Sequence, residues 1–336
     1  MPSHSLDFTA LLDAMSRCEV LVLGDVCLDR YIMGRPTRLS REAPVAVLEW
    51  EREYSLPGEA SNPALNIASL GARAHLVGWA GADAHGDELE RLLQEKGVST
   101  GGLFRGTNRA TTVKTRVLAS GLLTVPQQMA RIDRTEAGPA TPRERECVAT
   151  LVESTAAQVD ALLVSDYRHG FVDDALVRCV REAAQTHNKL TTVDSQGVLD
   201  RFAGFDYVRC NRHEAAAELG VELLEEGDYE RELPKLAEKL GCRGLVVTRD
   251  ADGMSHYSGE YGYERLRAVP VPVADGVGAG DTVIAVLTLA LAAGATFPTA
   301  ARAANAAAAL VVQHVGNACP TPEALLDQMR SVYGAE

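Results

Sequence analysis

The sequence lacks the paired cysteines of a structural zinc site. Its seven cysteines are scattered, and no two of them form a Cys-x-x-Cys pair. An odd number of scattered thiols is typical of a reducing compartment rather than of a disulfide framework. We therefore expect a cytoplasmic protein without structural zinc, and we assign none of the isolated residues His169, His213 and His314 to a metal.

The chain also lacks a surplus of positive charge and any long apolar run. Lys and Arg total 33 against 46 Asp and Glu, a net charge of -13, whereas nucleic-acid binding needs a basic surface. Residues 1–25 lack the features of a signal peptide. The longest apolar stretches, around 283–294 and 303–312, are rich in alanine and too short or too weakly hydrophobic to span a bilayer. We expect a small-molecule ligand, no nucleic acid and no membrane.

Short apolar segments alternate with helical patterns along most of the chain. The predicted strands are Val20–Leu23, His75–Trp79, Ala161–Val164, Thr191–Val193, Tyr207–Arg209 and Leu245–Val247. The predicted helices lie near 59–70, 84–96, 142–156, 172–186, 211–219, 230–240, 278–293 and 298–313. This alternation predicts one α/β domain over residues 1–336, built on a mostly parallel sheet.

Two segments interrupt the alternation, residues 30–57 and 101–133. Both contain short extended stretches and turns, and neither is long enough to form a domain of its own. Together they could form a small sheet that projects from the main body, such as a lid over the site.

A loop of small residues at 275–281 (DGVGAGD) precedes a strong helix-forming segment. Such a loop offers free backbone N–H groups and the positive end of a helix dipole to an anion. Asp281 follows the last glycine, where its carboxylate can act as a base. The loop is not a Walker A motif, and no partner acid follows as in a dinucleotide fingerprint. Phosphoryl transfer to a hydroxyl is the favoured chemistry, and a dehydrogenase is disfavoured.

Other polar residues near predicted strand ends are candidates for ligand binding. Asp29 is the favoured sugar ligand after the first strand, since ligands bind beyond the carboxyl ends of parallel strands. Asn62 and Asn66 share one helix face and could present two amides to a polyol, or else cap the helix.

Two further groups of residues have competing interpretations. Asn211 and Glu214 could orient nucleotide phosphates or metal-bound water, but their spacing is also that of a capping box. Lys114 and Arg116 point to one face of an extended run, with Arg131 as a possible third member. These basic residues could hold a substrate phosphate or could form a solvated face.

Taken together, the motifs resemble those of the ribokinase-like (phosphofructokinase-B) carbohydrate kinases. They are GD-x-x-LD, PG-x-x-x-N, N-x-x-E, VTR-x-x-x-GM and DG-V-GAGD, in that order, from about Val20 to Pro320. Longer strings, among them GDVCLDRY, RLSREAPV, TTVKTRV and GAGDTVI, are similar to those of D-glycero-β-D-manno-heptose 7-phosphate kinases. The resemblance implies a three-layer ribokinase-like sandwich with a small β-lid that commonly mediates homodimerisation.

The resemblance also implies a role for each matched residue in an ATP- and Mg²⁺-dependent reaction at the anomeric oxygen, on the route to ADP-heptose for lipopolysaccharide. It makes Asp281 the base and the N–H groups of Gly278, Ala279 and Gly280 the anion hole. Asp29, Gly58 and Asn62 would contact the sugar. The residues implied at the nucleotide are Asn211, Glu214, Thr248, Gly253, Asp275 and Asn305, with Glu214 also serving the metal.

One residue departs from the pattern of the family, and two depart from that of the heptose kinases. Glu59 replaces the second glycine of a Gly-Gly pair, His169 replaces a lysine in SDYRHG, and Gln196 replaces a lysine in DSQG. Two cations are lost and one anion is gained, so two alternatives stay open. One is a diverged kinase for another sugar or a nucleoside, and the other is a sensor that binds sugar or nucleotide without catalysis. Any adenylylation step is expected to need a separate protein.

Overall fold

Two β-sheets organise the protein, whose computed structural model describes residues 7–121, 126–135 and 140–334. The strands are β1 (Glu19–Gly24), β2 (Val26–Leu39), β3 (Ala46–Glu59), β4 (Arg73–Gly81), β5 (Ser99–Gly106), β6 (Thr112–Ala119), β7 (Gln127–Arg134), β8 (Ala161–Asp166), β9 (Leu190–Ser195), β10 (Tyr207–Asn211), β11 (Gly244–Thr248), β12 (Met254–Ser258) and β13 (Gly262–Leu266). The large sheet has the order β13-β12-β11-β10-β9-β8-β1-β4-β5. It is parallel from β11 to β5, and β12 and β13 extend it with antiparallel pairing.

Helices cover both faces of the large sheet. They are α1 (Phe8–Met15), α2 (Ser61–Ser69), α3 (Ala84–Glu95), α4 (Pro142–Ala156), α5 (Asp174–His187), α6 (Arg212–Leu219), α7 (Glu226–Leu240), α8 (Ala279–Ala292), α9 (Phe297–Val311) and α10 (Pro322–Tyr333). Side chains alternate across a strand, so Val20 and Val22 enter the core with α1–α3 and α8–α10, while Leu21 and Leu23 enter the core with α4–α7. The predicted three-layer α/β sandwich is confirmed.

Helix α8 runs from the glycine-rich loop into the interior. Its residues from Asp281 to Ala290 are all buried, as expected of a helix that is apolar on every side. The helix begins after Gly278, whose φ of 78° favours glycine. Asp281 and Gly280 contact Tyr167 and Arg209, which places this helix start at the carboxyl ends of β8 and β10.

The small sheet has the order β3-β2-β6-β7. Strands β2 and β6 pair in parallel, and β3 and β7 pair antiparallel at the edges. The expected lid boundaries need correction, because residues 99–106 form β5 and pair with β4 in the large sheet. The alternating burial of β5 explains this, since Leu103 packs in the main core. Residues 122–125 of the expected lid lie outside the described residues.

The outer elements α1, α10, β12 and β13 were not predicted. Both helices are short and bury only three and two side chains, respectively, so each gives an apolar pattern over only a few positions. Within the described ranges, none of the helices combines the length and the apolar character needed to cross a membrane.

Candidate active site

Asp281 is a buried carboxylate that two side chains hold in place. The Tyr167 hydroxyl donates to Oδ1 at 2.6 Å, and the Asn62 amide donates to Oδ2 at 2.9 Å. Burial raises the pKa of Asp281 to about 7, although the hydrogen bond from Tyr167 acts against this rise. A carboxyl group with a pKa near neutrality is suited to accept a proton at physiological pH.

The glycines of the loop are required by close neighbours. A Cβ on Gly278 would lie 2.6 Å from Asn62 Nδ2, and a Cβ on Gly280 would lie 2.6 Å from both terminal nitrogens of Arg209. The Arg209 guanidinium therefore lies directly against the start of α8. It binds both oxygens of Asp194, at 3.0 and 2.9 Å, and donates to Thr248 at 2.7 Å. A fixed cation thus adjoins the N–H groups at this helix start.

A cavity of about 590 Å³ opens beside the loop. Its lining includes Arg209 and six residues that were predicted at the nucleotide or lie in the glycine-rich loop, namely Thr248, Gly253, Gly276, Ala279, Gly280 and Asn305. The remaining walls are mostly small and aliphatic residues between 268 and 312. A largely apolar cleft with a few polar groups at one end has the composition of a small-molecule site.

Two of these cavity residues have structural reasons for their identity. Gly253 has a φ of 91°, and a Cβ there would lie 2.2 Å from the Leu266 carbonyl oxygen. The Asn305 amide donates to the Arg267 carbonyl and to Tyr333. Both residues therefore shape the wall of the cavity.

Asp275 organises the loop itself. Its carboxylate accepts hydrogen bonds from the backbone N–H groups of Val277 and Gly316, each at 3.0 Å, and it is not among the residues that line the cavity. The structure therefore gives Asp275 a loop-fixing position, and its predicted contact with a nucleotide stays a prediction.

Asn211 and Glu214 form the capping box of α6. The Asn211 side chain accepts from the N–H of Glu214, and Glu214 Oε2 accepts from the N–H of Asn211 at 2.7 Å. Burial and the nearby Asp194 raise the pKa of Glu214. Among the described residues, no cluster of three or more His, Cys, Asp or Glu could hold a metal. Mg²⁺ that arrives with phosphates needs only one or two carboxylates. Glu214 has one oxygen outside the capping box, and the nearby Asp194 carboxylate accepts from Arg209 on both oxygens.

The predicted sugar ligand Asp29 is already bonded on both oxygens. Arg116 donates to Oδ1 at 2.6 Å and Asn317 donates to Oδ2 at 2.7 Å. Gly58 lies beside this carboxylate, because a Cβ there would be 2.3 Å from Asp29 Oδ2. Asn62 orients the carboxylate of Asp281, so the structure gives it a role besides the predicted sugar contact.

A second buried acid, Glu59, binds two cationic or ionisable groups. Its Oε1 pairs with the Lys114 ammonium and lies 2.8 Å from His169 Nε2. The third predicted phosphate ligand, Arg131, lies opposite Arg116 across β6 and β7 but is exposed and bound to Asp133. Each of the predicted basic residues therefore has an acidic partner.

Sequence reasoning missed three residues that the structure brings to the site. They are Tyr167, Arg209 and Asn317. Tyr167 and Arg209 could have been identified from their positions at predicted strand ends. Tyr167 directly follows β8, and Arg209 lies near the end of β10. Asn317 follows α9 in an irregular segment, and nothing in its local sequence indicates a partner at Asp29.

The comparison with known families agrees with this geometry. The sequence profile described as "pfkB family carbohydrate kinase" matches residues 19–324. The chain belongs to this family. The predicted identity as a carbohydrate kinase of the phosphofructokinase-B type is therefore confirmed.

Curated relatives of this carbohydrate kinase are named Bifunctional protein HldE. The protein from Desulfatibacillum aliphaticivorans is 37% identical over 94% of this chain and 63% of its own length. The one from Acidiphilium cryptum is 34% identical over 98% of this chain and 67% of its own length. The chain thus spans about two thirds of the length of these relatives.

Solved structures share the fold of this kinase. Phosphofructokinase-2 from Escherichia coli in complex with potassium has a TM-score of 0.78 at 21% identity, covering 94% of this chain and 98% of its own. Arabidopsis thaliana ribokinase complexed with ribose and ATP has a TM-score of 0.73 at 20% identity, covering 94% and 99%. The ribokinase-like fold class is confirmed.

Proposed function

We propose that this carbohydrate kinase transfers a phosphoryl group from ATP to the anomeric hydroxyl of D-glycero-β-D-manno-heptose 7-phosphate in the cytoplasm. The observation that carries the proposal is the buried Asp281 carboxylate, which lies at the start of α8 beside the glycine-rich loop. The motif resemblance to heptose 7-phosphate kinases and the relatedness to Bifunctional protein HldE support the substrate.

In the proposed reaction Asp281 removes the proton of the anomeric hydroxyl as its oxygen bonds to the γ-phosphorus. The bond between that phosphorus and the bridging oxygen breaks, and ADP leaves with the electron pair. The N–H groups of Gly278, Ala279 and Gly280 face the charge on the transferring group, and Arg209 adds a fixed cation. Alignment and charge neutralisation of this kind account for most of the catalysis of phosphoryl transfer.

The nucleotide is proposed to occupy the cavity beside the loop, with its base against the aliphatic wall and its phosphates toward Arg209. Glu214 and Asp194 would hold Mg²⁺, which when bound neutralises phosphate charge. Thr248, Gly253 and Asn305 support this placement because they line the cavity, whereas Asn211 contributes through its capping of α6.

The sugar is proposed to lie near Asp29, Gly58 and Asn62, with its phosphate toward Lys114, Arg116 or Arg131. The ion pairs of these basic residues favour a second candidate, a kinase for an unphosphorylated sugar. A phosphate would have to compete with an acid that is already bound to each of them.

A substrate panel separates the two candidates. ADP release is measured with heptose 7-phosphate, the unphosphorylated heptose, ribose, fructose, fructose 6-phosphate and a nucleoside, each with ATP and Mg²⁺. The proposal expects the highest kcat/KM with heptose 7-phosphate. A preference for a neutral sugar would establish the second candidate, and tight ATP binding without ADP release from any compound would indicate a sensor.

We also propose that the small sheet mediates a homodimer. Five exposed large apolar side chains lie on its strands or on the loop between β2 and β3, namely Leu39, Val45, Trp50, Met129 and Ile132. Exposed apolar surface of this kind marks interaction sites.

We expect the wild type to elute as a dimer and Trp50→Glu as a monomer in size-exclusion chromatography with light scattering. The matched change Leu224→Glu, at an exposed apolar residue outside the small sheet, leaves the mass unchanged; a monomeric wild type would contradict the proposal.

A further inference from the structure

Glu59 has hydrogen-bonding capacity that the protein does not use. The residue ends β3, and its side chain is 2% exposed. Oε1 binds Lys114 and His169, whereas Oε2 is buried and has no hydrogen-bond partner among the residues that the structure describes. A buried carboxylate oxygen without a partner is unfavourable, so this atom needs an explanation.

The backbone at Glu59 adds to the cost of placing a carboxylate there. Its φ is 54°, in the left-handed region that favours glycine. The preceding residue Gly58 lies against Asp29, so the chain at this point is closely fitted to its surroundings. Strained positions of this kind concentrate at functional sites.

The neighbours of Glu59 hold its carboxylate in place. Lys114 and His169 approach the same oxygen from the small sheet and from the loop after β8. The hydrogen bond to Glu59 raises the pKa of His169, which favours the charged imidazolium. Two positive partners on Oε1 leave Oε2 as a fixed acceptor.

The cluster of Glu59, Lys114 and His169 adjoins the proposed base. The Lys114 ammonium lies 5.2 Å from the centroid of the Tyr167 ring, and the hydroxyl of the same ring donates to Asp281. Asn62, three residues after Glu59, donates to the other oxygen of Asp281. A sugar with its reactive hydroxyl at Asp281 therefore places its neighbouring hydroxyls close to this cluster.

We infer that Glu59 is a specificity-determining residue, whose Oε2 accepts a hydrogen bond from a second hydroxyl of the sugar. The inference rests on the proposed sugar kinase function and identifies the part of the site that selects the sugar. A hydroxyl suits the position better than an ammonium group, because two positive groups already surround the carboxylate. A hydroxyl also suits the position better than a phosphate does, because the carboxylate would repel a phosphate.

The experiment combines substitutions at Glu59 with sugars that each lack one hydroxyl. Glu59→Gln keeps an oxygen for Lys114 and His169 but replaces the free acceptor with an amide, and Glu59→Gly removes the side chain in a backbone conformation that glycine tolerates. Monodeoxy analogues of the heptose 7-phosphate are assayed with each variant. The matched control is Glu53→Gln, on the same strand, where an exposed glutamate pairs with Arg30.

We expect one analogue to react with wild type at a kcat/KM lower by roughly 10- to 100-fold, the value of one hydrogen bond to a charged group. In Glu59→Gly that analogue and the full sugar should react equally well, while the KM for ATP stays unchanged. Glu53→Gln should retain the wild-type discrimination. An equal loss for every analogue, or a matching change in the KM for ATP, would show a purely structural role and overturn the inference.

The inference and the proposed function fail separately. If wild type does not phosphorylate the heptose 7-phosphate, the proposed substrate is wrong, and the deoxy series is made from the sugar that the substrate panel identifies. If that sugar is phosphorylated but no single hydroxyl couples to Glu59, the inference fails while the kinase function stands.

Discussion

The two ends of the site are built in different ways. At the proposed phosphoryl-transfer end, Tyr167 and Asn62 hold the buried carboxylate of Asp281, whose pKa is about 7, and the Arg209 guanidinium lies against the start of α8. At the proposed sugar end, acids and bases from separate strands form buried ion pairs, Asp29 with Arg116 and Glu59 with Lys114. The first end presents a charge pattern that suits any transferred phosphoryl group. The second presents side chains whose arrangement depends on this particular chain.

Because of this difference, one end of the site determines the rate of phosphoryl transfer and the other determines which sugar binds. Backbone N–H groups at a helix start bind phosphate oxygens regardless of the acceptor, so the loop alone cannot distinguish one sugar from another. Paired side chains can distinguish sugars, because a buried polar group that the wrong sugar leaves without a hydrogen bond raises the free energy of binding. We therefore expect substitutions at the loop to reduce turnover for every sugar, and substitutions at the sugar end to change which sugar is accepted.

The largest expected effect is that of Asp281→Asn. Removal of the base should lower kcat by roughly 10²- to 10⁴-fold with every sugar that wild type accepts, because no proton acceptor replaces it. The folded structure should persist, since the substitution removes a buried charge and keeps the size of the side chain. Steady-state ADP release and the thermal unfolding midpoint measure the two quantities.

The matched control for Asp281→Asn is Asp174→Asn. Asp174 also lies in the first turn of a helix, but its side chain is 74% exposed and pairs with Arg201 away from the loop. This variant should keep the wild-type kcat. Retention of most turnover by Asp281→Asn would mean that the base has been misassigned.

Arg209→Gln should produce the second largest effect. Loss of a charged donor at the transferring phosphoryl group should lower kcat/KM by roughly 10²- to 10³-fold. Arg209→Lys should recover only part of the lost kcat/KM, because an ammonium cannot reproduce the planar contact of a guanidinium. Calorimetry of adenosine, ADP and ATP binding shows which part of the nucleotide Arg209 contacts. We expect the affinities of ADP and ATP to fall and the affinity of adenosine to stay unchanged.

Arg249→Gln tests whether loss of any largely buried, paired arginine has the same result. Arg249 is buried and bonded to Glu226 and Ser255, and it is absent from the cavity lining. Its substitution should lower the unfolding midpoint and leave the ratio of ATP to adenosine affinity intact. Equal losses of adenosine and ATP binding in Arg209→Gln would indicate that Arg209 only supports the fold.

The sequence predicted the local structure of the loop and of α6 better than the contacts around Asp29 and Glu59, for a physical reason. The loop and its helix are contiguous, and their small residues and apolar run specify both the turn and the burial of α8. The capping box at Asn211 and Glu214 was one of two open interpretations, and it is present. Such features depend on neighbours within one helical turn, which a sequence displays directly.

The sugar end depends on contacts between distant residues. Glu59 and His169 are 110 residues apart, and Asp29 and Asn317 are 288 apart. The first contact depends on how β3 meets the loop after β8, and the second depends on how β2 meets the segment after α9. No local pattern specifies either arrangement. The same holds for Tyr167, which follows a correctly predicted strand but meets Asp281 only because α8 crosses the carboxyl ends of the sheet.

The smallest expected effect is that of Tyr167→Phe, and it is best measured against pH. In wild type, kcat/KM should fall by about tenfold per pH unit below the pKa of Asp281, which is about 7. Protonated Asp281 cannot accept the hydroxyl proton, so activity is lost on the acid side and retained on the alkaline side. Thermal unfolding over the same pH range shows whether the protein stays folded there.

Tyr167→Phe removes a hydrogen bond that favours the charged form of Asp281. The pKa of Asp281 should therefore rise, and the acid limb of the kcat/KM profile should move to higher pH by roughly 1 unit, while the plateau at high pH changes little. A residue that only supported the fold would lower the plateau without moving the limb. Tyr54→Phe is the matched control, since Tyr54 stacks on Tyr31 in the small sheet and does not contact Asp281. An acid limb at the same pH in Tyr167→Phe and wild type would show that Tyr167 does not set the pKa of Asp281. The difference between the two ends of the site would then depend on Arg209 and the loop alone.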